Sequence, residues 1–414
     1  MNQSATGGGP GERALPLEAP YVYVPDLRRD RYGTLRLMSW WDQDVVAAAR
    51  VLVVGAGAIG NEVLKNLALL GFQNLVVVDR DVVELANLSR SVLYRAADEG
   101  RPKAEVAAER VRELNPDVQI FAVNGDIERD IGLAVFRHAD VVIGCLDSRA
   151  ARLWVNNACR KTGTPWVDGA IQEMFGEVRV FGATGACYAC TLTNADWKVL
   201  REARPCSGLA MGNTLEGKVP TTPTIASIIG AIQVQEALKL VHGMGSTVGK
   251  AFVFRGITME GDRLTLNERD DCLSHYAFGD VVELSDRGAA TTTFRDLLAL
   301  AEEALGGQAY IDLHGREVVS LLECPSCGHS TQLGILEAQV TPDFAPCPHC
   351  GFAMRDPETT HTVTTLDWFV DRTPADVGLP ALDIVEARTA TASVAFELTG
   401  DASTAVGGGW VARR

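Results

Sequence analysis

Val51–Gly60, reading VLVVGAGAIG, decides the fold of this chain. Four apolar, mostly β-branched residues predict a buried strand. Gly55, Gly57 and Gly60 then make a turn that feeds a helix over NEVLKNLALLG, residues 61–71. Glycine lets the backbone pass close to phosphate, and the helix N-terminus behind it offers free N–H groups and positive potential. A second strand, NLVVVDRD (74–81), ends in Asp79. Asp79 stands about 20 residues past the loop, where an acidic side chain meets a ribose hydroxyl. Strand, glycine turn, helix and strand together predict an α/β, Rossmann-like sheet that takes a nucleotide.

The next residues choose which nucleotide. Asp81 is followed by ELANLSRS (84–91), with Asn87 and Arg90, and by DEGRPKAEVAAERVRELNP (98–116), where Lys103 opens a helix that ends at Asn115-Pro116. A dehydrogenase holds a pyrophosphate and a nicotinamide and has no need of an Arg and a Lys set beyond the adenosine strand. An enzyme that splits ATP between its α- and β-phosphates does need them, because charge builds on the leaving pyrophosphate. Taken singly, Arg90 and Lys103 read first as solvated helix-surface charges; with the loop, Asp79 and Asn87 they read as an ATP site.

The pattern D-x-D-x-V-x-x-x-N-L-x-R, then G-x-x-K-A, then N-P resembles the activating-enzyme superfamily of ubiquitin-like proteins, the ThiF/MoeB type. The resemblance covers about Arg31 to His275. Two departures stand out: Ala58 occupies the third glycine of the family's GxGGxG, and Ser91 replaces the Gln that follows the Arg. The resemblance implies an adenylating domain over 30–276 with a mixed, mainly parallel sheet. It implies that Gly55, Gly57, Gly60, Asp79, Asp81, Asn87, Arg90 and Lys103 bind ATP, and that Asp147, at the end of the strand ADVVIGCLDS (139–148), holds magnesium on the phosphates. The local alternative for Asp147 is an N-cap of the helix SRAARLWVNNACRKTG. It also implies a homodimer in which an N-terminal arginine, Arg31 or Arg36, reaches the partner's ATP site. TPWVDGAIQ and GEVRVFG are expected to extend the sheet as antiparallel strands.

Length, charge and cysteine content bound the rest. At 414 residues, two or three domains are expected. A net charge of −15 argues against a nucleic-acid partner. No apolar run is expected to approach a membrane span, residues 1–29 carry no basic-then-apolar signal pattern, and a cytoplasmic protein with a flexible lead-in is the expectation. Ten cysteines in such a chain suggest metal and thiol chemistry rather than disulfides.

Cys187 and Cys190 form C-x-x-C, a spacing that lets two thiolates share one zinc. In the superfamily a second pair follows a downstream strand, here C-x-x-H with Cys272 and His275, so the resemblance implies one zinc on all four. Between the halves lies a long crossing loop, 191–222, containing Cys206. The matching family cysteine forms a thioester with the ubiquitin-like protein and passes it to a conjugating enzyme. Arg201, Arg204 and Lys218 would lower the Cys206 pKa if close in space. An inert loop thiol, or a zinc ligand in place of His275, are the alternatives. Cys145 and Cys159 read as small core residues. TPTIASIIGAIQVQEALKLVHG is an apolar core helix with Thr224 as its expected cap.

Residues 277–414 read as a C-terminal α+β module. Cys324, Cys327, Cys347 and Cys350 repeat C-x-x-C-G, a zinc-ribbon signal over 324–350 against which a redox pair is the lesser alternative. That makes two zincs per chain. The tail DIVEARTATASVAFELTGD alternates like an exposed strand, and GGGWVARR is expected to be loose. The reading is ATP-dependent adenylation of a ubiquitin-like protein followed by thioester transfer. Activation of a sulfur-carrier protein, a catalytically silent scaffold and a nicotinamide dehydrogenase are its rivals.

Overall fold

The computed structural model of the protein describes residues 30–202, 220–245, 247–406 and 410–411. The chain divides into two compact units, Met1–Trp41 and Asp42–Arg414. Within the described part of the first, Arg36 pairs with Asp30 at 3.2 Å.

Among its described residues the second unit holds three sheets. The largest runs β1 (Arg50–Val54), β2 (Asn74–Asp79), β3 (Gln119–Asn124), β4 (Val141–Gly144), β5 (Trp166–Gln172), β6 (Phe175–Phe181), β7 (Lys250–Arg255) and β8 (Glu260–Thr265). Its spatial order is β3-β2-β1-β4-β5-β6-β7-β8. The strands β3 to β5 in that order are parallel, and the reversal begins only at β6. β5 is therefore not the antiparallel addition expected: the Arg149–Thr162 helix carries the chain back across the sheet and delivers β5 parallel to β4. In β1, Leu52 and Val54 point into a core with Val76, Val78, Phe136, Val155 and Trp166. By the two-residue period of a strand, Val51 and Val53 face the other side, and both faces are buried.

One of those faces is covered by the helices Ala58–Leu70 and Pro223–Val241, which pack on each other, the first also on β1 and the second on β4 to β6. Pro223 takes the first helical position, and Thr222, not Thr224, is the cap, accepting the Ile225 N–H at 3.3 Å. By length and composition alone this helix is long and apolar enough to cross a membrane, contrary to the expectation that no such run exists. Here Ile225, Ala226, Ile229, Val234 and Ala237 are buried, and Gln233 donates to the carbonyls of Gly144 and Val167 at 2.8 and 3.2 Å. That side-chain amide ties the helix to the ends of β4 and β5. Of the crossing loop, Asn194–Glu202 forms a helix.

The remaining strands are β9 (Val281–Leu284), β10 (Tyr310–Asp312), β11 (Val318–Glu323), β12 (Ser330–Leu336), β13 (Asp356–Thr360), β14 (Thr362–Val363), β15 (Ile384–Arg388) and β16 (Ser393–Leu398). They form a sheet β14-β10-β15-β16-β9, with the Phe294–Leu305 helix against it, and a ribbon β12-β11-β13. The tail is two strands, not one, and both are largely buried. Trp410 is not loose: it is 5 % exposed and donates its indole N–H to the Val135 carbonyl at 3.2 Å. Leu382, Ile384, Ala395, Val406 and Trp410 share one core with Leu52, Val78 and Phe136 of the large sheet.

Candidate active site

The site is built around the turn after β1. Gly55 sits at φ +97°, and a Cβ there would lie 2.5 Å from the Cys145 carbonyl oxygen. A Cβ on Gly60 would lie 2.0 Å from the Gly55 carbonyl oxygen, so the first helical turn packs directly on the loop. Gly57 is different: nothing lies within 4 Å of where its Cβ would be, and it borders a cleft. A side chain at Gly57 would fill the space that a phosphate could occupy.

Two buried polar residues that the sequence reading passed over hold this loop. Asn61 donates to the carbonyls of Ala56 and Gly57 at 2.7 and 3.0 Å and accepts the Leu93 N–H at 2.8 Å. The Tyr94 hydroxyl donates to the Ala56 carbonyl at 2.6 Å. A fully buried amide in an apolar helix was the available signal for Asn61; Tyr94 left none. Asp79 closes the loop from the other side. Its carboxylate accepts the Ala56 N–H at 2.6 Å and the Asp81 N–H at 2.8 Å. Burial pushes the Asp79 carboxyl above its usual range, against the pull of Lys103 and those two amides.

The cleft has a volume of about 1210 Å³. That exceeds the 300–1,000 Å³ typical of one small ligand, leaving room for a nucleotide and an extended peptide. Gly55, Gly57, Asp79, Asp81, Asn87, Arg90, Lys103 and Asp147 all line it, and Gly60 lies beneath. Lys103, its side chain 11 % exposed, pairs with Asp81 at 2.8 Å. Arg90 donates to the Ala86 carbonyl at 2.7 Å. Asn87 accepts the Glu84 N–H at 3.0 Å and shapes the turn that presents Arg90. Ser148, not Asp147, caps the Arg149–Thr162 helix, accepting the Ala151 N–H at 3.4 Å. Asp147 is left exposed at the cleft. The far wall carries Arg152, Arg179, Glu177 and Tyr188, with Arg152 held on the fully buried Asp168 at 3.1 Å. A buried ion pair of this kind is weak evidence for stability, though removing one partner strands a buried charge; the sequence reading missed it.

The cysteine pairings converge. The ligating atoms of Cys187, Cys190, Cys272 and His275 all lie within 4.8 Å of one another, as do those of Cys324, Cys327, Cys347 and Cys350. In the first group Cys187 Sγ stands 3.7 Å from the sulfurs of Cys190 and Cys272, and His275 Nε2 3.1 Å from Cys190 Sγ. In the second, Cys324–Cys350 and Cys327–Cys347 are 3.6 and 3.7 Å apart. Thiolates 2.3 Å from a tetrahedral ion stand about 3.8 Å apart, so both donor sets fit zinc. His349 stacks on His329 at 5.6 Å. Cys159 is buried and Cys145 is half-buried at the cleft, and loss of solvent raises both thiols well above the usual range. Cys206, Arg204 and Lys218 lie outside the described residues.

The profile of the ThiF family matches residues 30–274. The chain belongs to the ThiF family. It is 34 % identical over 231 residues to the SAMP-activating enzyme E1 of Haloferax volcanii, covering 56 % of this chain and 81 % of that one. It is 32 % identical over 237 residues to the sulfur carrier protein adenylyltransferase of Thermus thermophilus, covering 56 % and 83 %. The crystal structure of E. coli MccB with ATP superposes with a TM-score of 0.51 at 20 % identity, over 62 % of this ThiF-family chain and 77 % of MccB, a likeness of fold alone.

Proposed function

We propose that this ThiF-family protein adenylates the C-terminal carboxylate of a small ubiquitin-like or sulfur-carrier protein. The observation that carries the reading is the single cleft on which the open Gly57, the ribose-side Asp79 and the cations Lys103 and Arg90 converge. Relatives named as a SAMP-activating E1 and a sulfur carrier protein adenylyltransferase support it. A carboxylate oxygen of the partner's tail attacks the α-phosphorus of ATP. The bond from that phosphorus to the β-phosphate oxygen breaks, pyrophosphate leaves, and an acyl-adenylate remains. Lys103 and Arg90 take up charge on the departing phosphates, and Asp79 orients the ribose. Magnesium, when bound, would be held by Asp147 and would supply further positive charge to the phosphates. Zinc on each of the two ligand sets has a structural role.

The finer reading is conjugation. The Cys206 thiolate attacks the acyl carbon, AMP leaves, and the resulting thioester passes to a conjugating enzyme. The sulfur-carrier reading stops at the adenylate and is favoured by the Thermus relative. Mass spectrometry separates them after incubation with ATP, magnesium and a candidate carrier. A thiol-labile adduct that Cys206→Ser abolishes is the result expected for conjugation. Adenylate alone, unchanged by Cys206→Ser, refutes that step.

A further inference from the structure

The nucleotide cleft and the C-terminal module meet in one short segment. Residues 125–132 leave the end of β3 and enter the Leu133–His138 helix. At their start Gly125, Asp126, Ile127 and Glu128 line the cleft. Asp126 pairs there with Arg80 at 2.8 Å and accepts the Glu128 N–H at 2.9 Å, while Asp130 accepts the Asp126 N–H at 2.6 Å. At its far end the segment is held by the module. Arg129 donates to the Ala338 carbonyl at 3.2 Å. The Leu133 N–H donates to Asp383 Oδ1 and the Ala134 N–H to the Leu382 carbonyl, both at 3.0 Å. Asp383 is fully buried and pairs with Arg316. A Cβ on Gly132 would lie 2.1 Å from the Leu382 carbonyl oxygen, so segment and module touch backbone to backbone. Beyond it, Arg137 and His138 both pair with the fully buried Glu397, at 2.6 and 2.7 Å.

We propose that the C-terminal module sets the wall of the nucleotide pocket through this segment, with Asp383 and Gly132 as positioning residues, so that nucleotide binding and module docking are thermodynamically coupled. The free N–H groups at the start of the Leu133–His138 helix need acceptors, and in this chain the module supplies them. Internal residues Ile127 and Ile131 pack in the core that also takes Leu382, Ile384 and Trp410. A shift of the module therefore moves Asp126–Glu128 in the cleft, and by linkage a nucleotide that fixes the cleft fixes the module. The proposal rests on the cleft binding a nucleotide.

The test uses the full chain and the α,β-methylene analogue of ATP with magnesium. Amide exchange is followed at Leu133, Ala134 and 382–384, with and without analogue. The expected result is a slowing of about 5-fold or more there, and an affinity for the analogue lowered about 5- to 10-fold in Gly132→Ala. Arg129→Ala, an exposed and milder change, is expected to lower affinity about 2-fold with an unshifted melting temperature, a split that a purely structural role would not give. Binding by the wild type with unchanged exchange at these amides, and Arg129→Ala affinity equal to wild type, overturns the coupling. No binding by the wild type overturns the nucleotide reading itself, and the coupling with it.

Discussion

Lys103→Met separates a phosphate-binding role from a structural one. Lys103 is buried along its stem, 11 % exposed, and its amino group meets Asp81, whose side chain is 57 % exposed. Methionine keeps the apolar stem, and the Asp81 left behind is solvated, so no buried charge is stranded. A pair with one exposed member is worth at most about 1 kcal/mol, a melting shift of no more than about 4 °C. A charge-assisted bond to phosphate is worth about 1.5–3 kcal/mol, or roughly 10- to 150-fold in affinity. Lys103 also opposes the burial that raises the Asp79 carboxyl. Its loss raises that carboxyl further, so the deficit in nucleotide affinity should widen as pH falls. Calorimetric titration with the α,β-methylene analogue beside a thermal melt reads both effects. Affinity equal to wild type would refute the argument and leave Lys103 as the partner of Asp81 alone.

Three further outcomes follow from the same geometry. Gly57→Val should melt like wild type yet lose nucleotide binding, since its side chain enters open cleft, whereas Gly60→Ala meets the Gly55 carbonyl and should destabilise the fold; thermal melts and titration distinguish them. Metal analysis should find two zincs per chain, falling to one in either Cys187→Ser or Cys324→Ser, and a wild-type value of one or none would break the ligand pairing. Burial, aided by Arg316, lowers Lys161 to about 8. Its folded pKa is below the unfolded value, so its penalty is full below pH 8 and fades as pH rises toward about 10. Denaturation of wild type and Lys161→Met should accordingly show the balance moving toward wild type between pH 8 and 10.

The strand-turn-helix at Val51–Leu70 and the helix from Lys103 to Leu114 were legible because each is written in adjacent residues: β-branched runs, glycines, and the Asn115 stop. Both four-ligand clusters were legible because ligand spacing survives without tertiary knowledge, the pairing of Cys187 with Cys272 coming from family resemblance. What escaped depends on partners far along the chain. Asn61 meets Leu93, Leu133 meets Asp383, and Trp410 meets Val135. No local pattern encodes such pairs, and so the tail read as exposed and loose when it completes the core. Thr222 and Thr224 flank Pro223 equally well in sequence; the fixed φ of proline suits it to the first helical position, which makes Thr222 the cap.

On the adenylating reading, this cleft takes a triphosphate rather than a nicotinamide dinucleotide. Titration of the purified full chain with ATP and magnesium, and in parallel with NAD, tests it most directly. Saturable heat with ATP, weakened in Lys103→Met, and none with NAD is the expected result. Binding of NAD without measurable affinity for magnesium-ATP would contradict it.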